Sequence, residues 1–195
     1  MKTTSKFLLI CFLLISSFTS NLNAANINSV FALKETPQVK IDGNADDPAI
    51  WINRADIKNS IVFGTDKYNG IYSYNLDGNM LGFSKSGSMN NIDLRSFDNN
   101  TYVFATDTSN NTINLWIYKD IDLDQASKEG RFALREKPDF SANTNFLAYG
   151  ACAGISKTNG LIVFVTEAKG SGVQLWNFHD KKLDLLRTFN NSDAY

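Results

Sequence analysis

Histidine and cysteine are scarce in this chain of 195 residues. His179 is the only histidine, and one of the two cysteines, Cys11, lies in an apolar run at the N-terminus, which leaves Cys152. A lone cysteine cannot form an internal disulfide, even in an oxidising compartment. The shortage of histidine argues against histidine phosphatase chemistry, Ser-His-Asp catalysis and histidine-rich zinc sites. We expect Cys152 to be a small buried apolar side chain and His179 to lie in a turn without a catalytic role.

Long apolar runs are also missing, apart from Phe7–Ile15. Lys2 and Lys6 precede this run, and a small-polar stretch ending at Ala25 follows it. This layout is typical of a signal peptide, and the run is too short to span a bilayer. The sequence therefore predicts a signal peptide over residues 1–25, a secreted or periplasmic location, and a single domain over residues 26–195 that does not associate with a membrane after cleavage.

Basic tracts are absent as well. Removal of residues 1–25 takes away two of the 19 lysine and arginine residues and leaves 17 against 20 acidic residues. A net negative chain without a basic stripe is not expected to bind nucleic acid.

Short β-branched and aromatic runs dominate the remainder of the chain. The stretch 61–95 holds two of them, Ile61–Phe63 and Ile71–Tyr74, followed by a tight turn at Asp77-Gly78. The unit recurs at residues 102–116 and 161–176. Further strands are predicted before the three copies at 48–52, 91–95 and 150–155, and after them at 80–83, 131–134 and 183–189. Residues 120–144 fit no strand pattern smoothly and are interpreted as a long solvated loop.

A Thr-acid dipeptide marks the same strand end in each copy, at 65/66, 106/107 and 166/167. Four strands per repeat at this spacing are typical of propeller blades. A sandwich of antiparallel meanders is the alternative. The return of one dipeptide at one strand end favours an all-β propeller of four-stranded antiparallel blades, with three blades in this chain.

Carboxylates are the remaining source of chemistry. Asp46 and Asp47 stand together before a predicted strand, and Asp66, Asp107 and Glu167 occupy equivalent points of the three repeats. Converging oxygen ligands without cysteine or histidine suit a hard cation, calcium before magnesium. Aspartate is equally a good turn residue, so both interpretations stay open for the repeated acids.

Several motifs together resemble the opening blades of a β-propeller phytase, the alkaline, calcium-dependent 3-phytase family. They are DDPAIW at 46–51, GTDKYNGIYSYNLDGNMLG at 64–82, NNIDLR at 90–95, NTINLW at 111–116, YG at 149–150 and VTEAKG at 165–170. The resemblance implies a six-bladed propeller that uses Ca²⁺, with phytate or calcium phytate as substrate. It implies hydrolysis of phytate to lower inositol phosphates by a metal-bound water, with no residue acting as a covalent nucleophile.

The resemblance also assigns roles to eight residues. Asp46, Asp47, Asn91 and Asp93 correspond to calcium-site residues, and Lys67, Tyr149, Lys169 and Arg95 correspond to residues that bind substrate phosphates. Arg95 has the alternative role of bracing its loop.

Three departures from the family pattern weaken the expected site. Tyr68 stands where the family often has a second lysine, and Thr108 or Ser109 stands where it has an arginine. The third departure is that the sequence stops near the end of the third of six blades.

We therefore expect little phytase activity from an isolated monomer, and either a homodimer or a missing C-terminal half as partner. In such a monomer the apolar faces that carry Ile50, Trp51 and Leu175 are expected to lie on open flanks, without the blades against which they would pack. The alternative is a non-catalytic exported propeller fragment that binds an anionic ligand or a partner.

Overall fold

The structure is a computed structural model that describes residues 30–39 and 42–190. The predicted signal peptide lies outside the described residues. The described residues from 34 onwards belong to one compact unit, and the account below concerns that unit. In the described part of the chain no helix is both long and apolar enough to cross a membrane. The strands are β1 (Ala45–Trp51), β2 (Ile61–Asp66), β3 (Gly70–Tyr74), β4 (Met80–Ser84), β5 (Met89–Phe97), β6 (Asn100–Asp107), β7 (Thr112–Lys119), β8 (Phe140–Asn143), β9 (Ala148–Ser156), β10 (Gly160–Glu167), β11 (Gly172–His179) and β12 (Lys182–Asn190).

The strands form three four-stranded antiparallel sheets. The first sheet has the order β1-β2-β3-β4, the second β5-β6-β7-β8 and the third β9-β10-β11-β12, so that each sheet is a meander in sequence order. Most paired strands are joined by short turns, since antiparallel neighbours need only a hairpin between them. The exception with the longest connection is the pair β7 and β8, which residues 120–139 separate. The prediction of an all-β chain built from four-stranded antiparallel sheets is confirmed.

A Phe-x-Thr-acid motif ends the second strand of every sheet. It is Phe63 to Asp66 in β2, Phe104 to Asp107 in β6, and Phe164 to Glu167 in β10. Phe63 faces the second sheet within one apolar cluster, and Phe104 faces the third sheet within another. Both phenylalanines are fully buried, whereas Phe164 is 36% exposed. The intervening residues of β6 and β10 point back towards the preceding sheet, because side chains alternate along a strand.

Each sheet also carries a β-bulge near the start of its first strand. Two residues of the bulged strand face one threonine of the motif: Asp46-Asp47 face Thr65, Asn90-Asn91 face Thr106, and Tyr149-Gly150 face Thr166. A bulge bends its strand and redirects its side chains. The first strands β1, β5 and β9 contact one another in turn, so the three bulges lie at the same end of neighbouring sheets.

The predicted loop over residues 120–144 is wrong in two respects. Residues Asp120–Lys128 form helix α1, which buries Leu123. The fourth strand of the second sheet is β8, at 140–143 rather than 131–134. The segment 131–134 instead lies against the first sheet, where Phe132 N donates to Leu81 O at 3.2 Å.

Burial of apolar side chains explains the position of this segment. The ring of Phe132 meets Phe63 edge-on with centroids 5.9 Å apart, and Leu134 is buried in the same cluster. Gly82 permits the close approach, since a Cβ there would lie 2.3 Å from Phe132 O.

Three expectations about single residues are corrected. Cys152 is exposed, because it lies on the outward face of the third sheet. His179 is the last residue of β11 rather than part of a turn, and its Nε2 lies 3.3 Å from Asp180 Oδ2. Trp51, expected on an open flank together with Ile50 and Leu175, is buried in the first cluster, whereas Ile50 is exposed.

Candidate functional site

The threonines of the repeated motif join neighbouring sheets beside the bulges. Thr65 Oγ1 accepts from Asp47 N at 3.0 Å and donates to Asn90 O of the second sheet at 2.7 Å. Thr106 Oγ1 accepts from Asn91 N at 3.1 Å and donates to Tyr149 O of the third sheet. Both threonines are buried. Each therefore fixes the bulge of its own sheet and the first bulge residue of the next.

This arrangement brings Asp46, Lys67 and Tyr149 together. Lys67 follows β2 directly, and its Nζ lies 3.1 Å from Asp46 Oδ1 in the first bulge. The same Nζ lies over the Tyr149 ring, 5.5 Å from its centroid, although Tyr149 belongs to the third sheet. About a quarter of the Lys67 side chain is exposed, and Tyr149 is 43% exposed. An ammonium and a phenol hydroxyl thus reach solvent side by side.

The environment keeps Lys67 charged. The hydrogen bond that Lys67 donates to the Asp46 carboxylate, together with the charge of that carboxylate, raises the pKa of Lys67 in spite of an opposing effect of burial, and Tyr149 adds a smaller effect in the raising direction. The side chain is therefore a cation at any physiological pH. A cation beside an exposed phenol is suited to an anion such as a phosphate group.

Asp47 and Asn91 form a second part of the site. Asp47 Oδ2 accepts from Asn91 Nδ2 at 2.8 Å and from Ile92 N at 3.0 Å. Asn91 Oδ1 in turn accepts from Asn90 Nδ2. These hydrogen bonds bridge the first and second sheets. They also occupy the Asp47 and Asn91 side-chain oxygens that a cation would need as ligands.

Asp93 and Arg95 lie further along β5 and pair with each other. Arg95 Nη1 donates to Asp93 Oδ1 at 2.7 Å, and Asp93 Oδ2 accepts from Ala153 N of the third sheet at 2.8 Å. Arg95 is therefore engaged within its own strand. Lys169 is two residues beyond β10, in a turn with a positive φ of 57°. It lies two residues after the third copy of the motif, whereas Lys67 directly follows the first.

The predicted calcium ligands do not by themselves fit a calcium ion. Calcium takes six to eight oxygen ligands. Within residues 30–39 and 42–190 no three acidic, histidine or cysteine side chains are grouped closely enough to hold a metal. Asp93 is held by Arg95 and Ala153 N, and Asp47 by two donors of β5. These residues can supply only part of a ligand set.

The repeated acids hold turns. Asp66 Oδ1 accepts from Tyr68 N and Asn44 N, and its Oδ2 accepts from Asn69 Nδ2 at 3.0 Å. Asp107 binds Ser109 N and Asn110 in the same way. Glu167 Oε2 accepts from Gly172 N. Of the two interpretations left open for these acids, the contacts favour the turn.

The pKa of Asp66 predicts how the stability of the folded chain depends on pH. Burial opposes its ionisation, but hydrogen bonds from Tyr68 N, the Asn69 side chain and Asn44 N outweigh that effect and lower its pKa. A lowered folded-state pKa contributes stability that is present above the unfolded pKa of about 3.9 and is lost as pH falls through the folded pKa.

We therefore expect the stability difference between the parent and Asp66→Asn to be largest near neutral pH and to shrink in acid. Urea unfolding at several pH values measures it. Asp98→Asn, at an exposed position, is the matched control and should show a small, constant difference. A difference for Asp66→Asn that grows as pH falls would contradict the assignment.

Two cavities flank the first sheet. The one of about 360 Å³ adjoins the site, and its wall includes Asp46, Asp47, Thr65 and residues 36–39. A larger one of about 520 Å³ lies beside helix α1, and its wall includes Arg54, Lys119, Asp120 and Asp124. None of the eight predicted site residues lines the larger cavity, so its size does not make it the functional centre.

Sequence reasoning missed the residues that assemble the site. Thr65, Thr106 and Asn90 carry the bonds between sheets, and Asn90 Nδ2 also lies 3.4 Å from Tyr149 O. The repeated Thr-acid dipeptide was the available signal, but only its acidic residue was considered as a candidate functional residue. The threonine proves to be the member that joins the sheets.

Comparison with known proteins supplies the family. The family model described as Phytase matches residues 2–143. A 3-phytase of Bacillus subtilis (strain 168) is 35% identical over 89 residues, which are 43% of this chain and 23% of that relative. The chain thus matches less than a quarter of that protein's length. The WD40 domain of Toxoplasma gondii coronin is similar with a TM-score of 0.48 and 12% identity, over 79% of this chain and 37% of that chain. Because the family model matches well over half of the sequence, the chain belongs to the Phytase family.

Proposed function

We propose that this chain contributes to a phytase-like phosphomonoesterase that hydrolyses phytate to lower inositol phosphates and phosphate. The observation that carries the proposal is the cluster of Lys67, Asp46 and Tyr149 at the bulged ends of the sheets, in a member of the Phytase family. A substrate with several phosphates offers an anion to Lys67 and a second to Lys169, which follows the third copy of the motif. Water is the attacking group, so the ester bond is broken without a covalent enzyme intermediate.

The proposed architecture is that of three blades out of a six-bladed propeller. The first strands contact one another, and the threonines of the first and second sheets each donate a hydrogen bond to the sheet that follows, as expected of blades set around one axis. The substrate end would then be the end that carries the bulges, where Lys67 and Tyr149 reach solvent.

Lys67 is the residue whose loss should matter most for phosphate binding. Hydrogen bonds to charged groups contribute about 1.5–3 kcal/mol, so Lys67→Ala should weaken binding of phytate or inorganic phosphate about tenfold to a hundredfold. Calorimetry measures binding, and phosphate release from calcium phytate measures turnover. Lys58→Ala, at an exposed position outside the site, is the matched control. Equal binding by both variants would show that Lys67 does not bind the phosphate.

Calcium is the proposed cofactor, held in part by Asp46, Asp47 and Asn91 and completed by oxygens beyond the predicted set. A ligand that binds only the folded chain raises its stability by mass action. We expect millimolar calcium to raise the melting temperature of the parent and to raise that of Asp47→Asn less. Magnesium at the same concentration is the control. A parent melting temperature that calcium leaves unchanged would contradict the proposal that the chain binds calcium.

A second candidate function is anion binding without hydrolysis. One observation favours it: N–H donors of the chain already occupy the carboxylate oxygens of Asp47 and Asp93 that a calcium ion would need. Phytate binding with no phosphate release, unchanged by a chelator, would establish this alternative. Calcium-dependent release that a chelator abolishes would establish the enzyme.

Export to a secreted or periplasmic location is also proposed, from the predicted signal peptide. N-terminal sequencing of exported material should show a start near Ala25 or Asn26, whereas an intact Met1 would overturn the proposal.

A further inference from the structure

The dipeptide Asn-Gly occurs twice in the sequence, at Asn69-Gly70 and at Asn159-Gly160. In both places the asparagine ends the turn of a hairpin and the glycine begins its second strand, β3 in the first sheet and β10 in the third. Asparagine before glycine is prone to deamidation, because a glycine without a side chain lets its backbone nitrogen approach the asparagine side-chain carbonyl. The surroundings of the two copies differ in the structure.

The copy in the first sheet is held in place. Asn69 Nδ2 donates to Asp66 Oδ2 at 3.0 Å, and Asn69 N donates to Asp66 O at 3.2 Å. Gly70 is buried and pairs with Asp66 in the ladder between β2 and β3. A Cβ at Gly70 would clash with Ser84 O, so backbone atoms enclose this residue. Any rotation of the Asn69 side chain towards Gly70 N therefore breaks a hydrogen bond to a buried carboxylate.

The copy in the third sheet is open. Asn159 and Gly160 are both exposed, and the Asn159 side chain makes no hydrogen bond or ion pair within the described part of the chain. The Ser156 hydroxyl accepts from Thr158 N and from Asn159 N, each at 3.3 Å. No atom lies within 4 Å of a Cβ built at Gly160. The turn is thus held through its backbone, while the amide side chain has room to rotate.

The exposure of Asn159 belongs to the turn itself. The corresponding turn of the second sheet, Asp98-Asn99 between β5 and β6, is exposed as well, although the third sheet packs against the second. The turn also lies away from the bulged end, since β9 carries its bulge at Tyr149-Gly150 and ends at Ser156. A change at Asn159 is therefore remote from the proposed phosphate site and independent of hydrolysis.

We propose that Asn159 is a site of spontaneous deamidation in the folded chain and that Asn69 is protected. The Gly160 backbone nitrogen loses its proton to a base from solvent and attacks Asn159 Cγ. A cyclic succinimide forms as the bond from Cγ to Nδ2 breaks, and the amide nitrogen takes a proton from water and leaves as ammonia. Water then opens the ring at one of its two carbonyls. The balance is one water taken up and one ammonia released, with no oxidant or cofactor.

The products change the turn in two ways. Either direction of ring opening replaces a neutral amide by a carboxylate, which adds one negative charge beside Lys157. Opening at the backbone carbonyl gives isoaspartate, which routes the main chain through the side chain and lengthens the turn between β9 and β10. The length of a hairpin turn fixes the register of its strands, so isoaspartate alters the third sheet locally.

The test compares the two sites within one sample. The folded chain is incubated in mildly alkaline buffer and digested with trypsin, which releases Asn69 in the peptide 68–85 and Asn159 in the peptide 158–169. Mass spectrometry measures the deamidated fraction, fragment spectra locate it, and a sample digested without incubation gives the background. We expect Asn159 to react at least about tenfold faster than Asn69, because freeing Asn69 breaks a hydrogen bond to an ionised group.

Unfolding supplies the control for local sequence. In urea the two rates should converge, since the unfolded chain protects neither asparagine. Equal rates in the folded chain, or a faster rate at Asn69, would overturn the proposal. A folded chain in which Asn159 stays intact while urea makes it react would overturn it as well.

Two variants test the chemistry and the protection. Asn159→Gln should leave the peptide 158–169 unmodified, because glutamine must form a larger ring that closes less readily, and continued modification there would contradict the assigned residue. Asp66→Ala should raise the rate at Asn69 towards that at Asn159, with circular dichroism to verify the fold. An unchanged rate at Asn69 would contradict protection by Asp66. The urea comparison uses the parent chain alone and decides the proposal even if Asp66→Ala does not fold.

Discussion

Phe104→Ala should lower the free energy of unfolding by about 3–5 kcal/mol, the range for removing a fully buried phenylalanine. Phe104 is fully buried in the cluster that joins the second and third sheets, together with Leu115, Val163 and Trp176. The smaller side chain would leave a cavity between two sheets that cannot close without moving a strand. Urea or thermal unfolding, followed by far-ultraviolet circular dichroism, measures the loss.

Phe164→Ala is the matched control, because the residue type, the strand position and the motif are the same. Phe164 is 36% exposed, so we expect a loss of only about 1 kcal/mol. Equal losses for the two variants would contradict the assignment of Phe104 to a covered interface and Phe164 to an open one.

Thr65→Val should destabilise the chain by about 2–4 kcal/mol, although the two side chains have almost the same shape. The hydroxyl accepts from Asp47 N and donates to Asn90 O in a buried position. Valine can do neither, and each buried group left without a partner costs about 1–3 kcal/mol. Because the first of these bonds fixes the bulge that holds Asp46, we also expect weaker phosphate binding at Lys67.

Thr166→Val is the matched control for stability. Thr166 is exposed and makes the bond within its own sheet, but has no sheet beyond it in the described structure. Its replacement should cost well under 1 kcal/mol, since water can take the place of the hydroxyl. If Thr65→Val were as mild as Thr166→Val, the bond between the first and second sheets would not be the stabilising contact that the geometry indicates.

The motif reconciles two interpretations of the repeated acid. Asp66 and Asp107 bind backbone N–H groups within their own turns, so they do not form a metal ring. The turn that Asp66 holds is nevertheless the one from which Lys67 projects. The acids therefore act on the proposed phosphate site by fixing the backbone beside it.

Much of the fold could be predicted from the sequence because its pairings are local. β-branched and aromatic runs separated by turn residues fix strands such as β2 and β3, and a hairpin leaves little choice of partner. The resemblance motifs likewise pointed to Lys67, Asp46 and Tyr149, which the structure brings together although one of them belongs to another sheet.

Helix α1 was predictable from local signals that were overlooked. Asp120 and Asp122 lie in its first turn, Lys128 in its last, and Gly130 follows with a positive φ. Acids at the start, a base at the end and a glycine beyond the end are the expected signature of a helix. The high proportion of charged residues made the segment resemble a solvated loop.

The sequence by itself determined the strands, the meander order and the repeated Thr-acid marker, because each depends on neighbours a few residues apart. Only the tertiary structure decided the role of each residue of the marker. The acid accepts hydrogen bonds within its turn, and the threonine bonds to the neighbouring sheet where such a sheet is present in the described structure. Tertiary packing also decided that residues 131–134 lie against the first sheet and that Cys152 is exposed. The burial of a side chain depends on which element packs against its face of the sheet, and the residues of the strand itself do not specify that element.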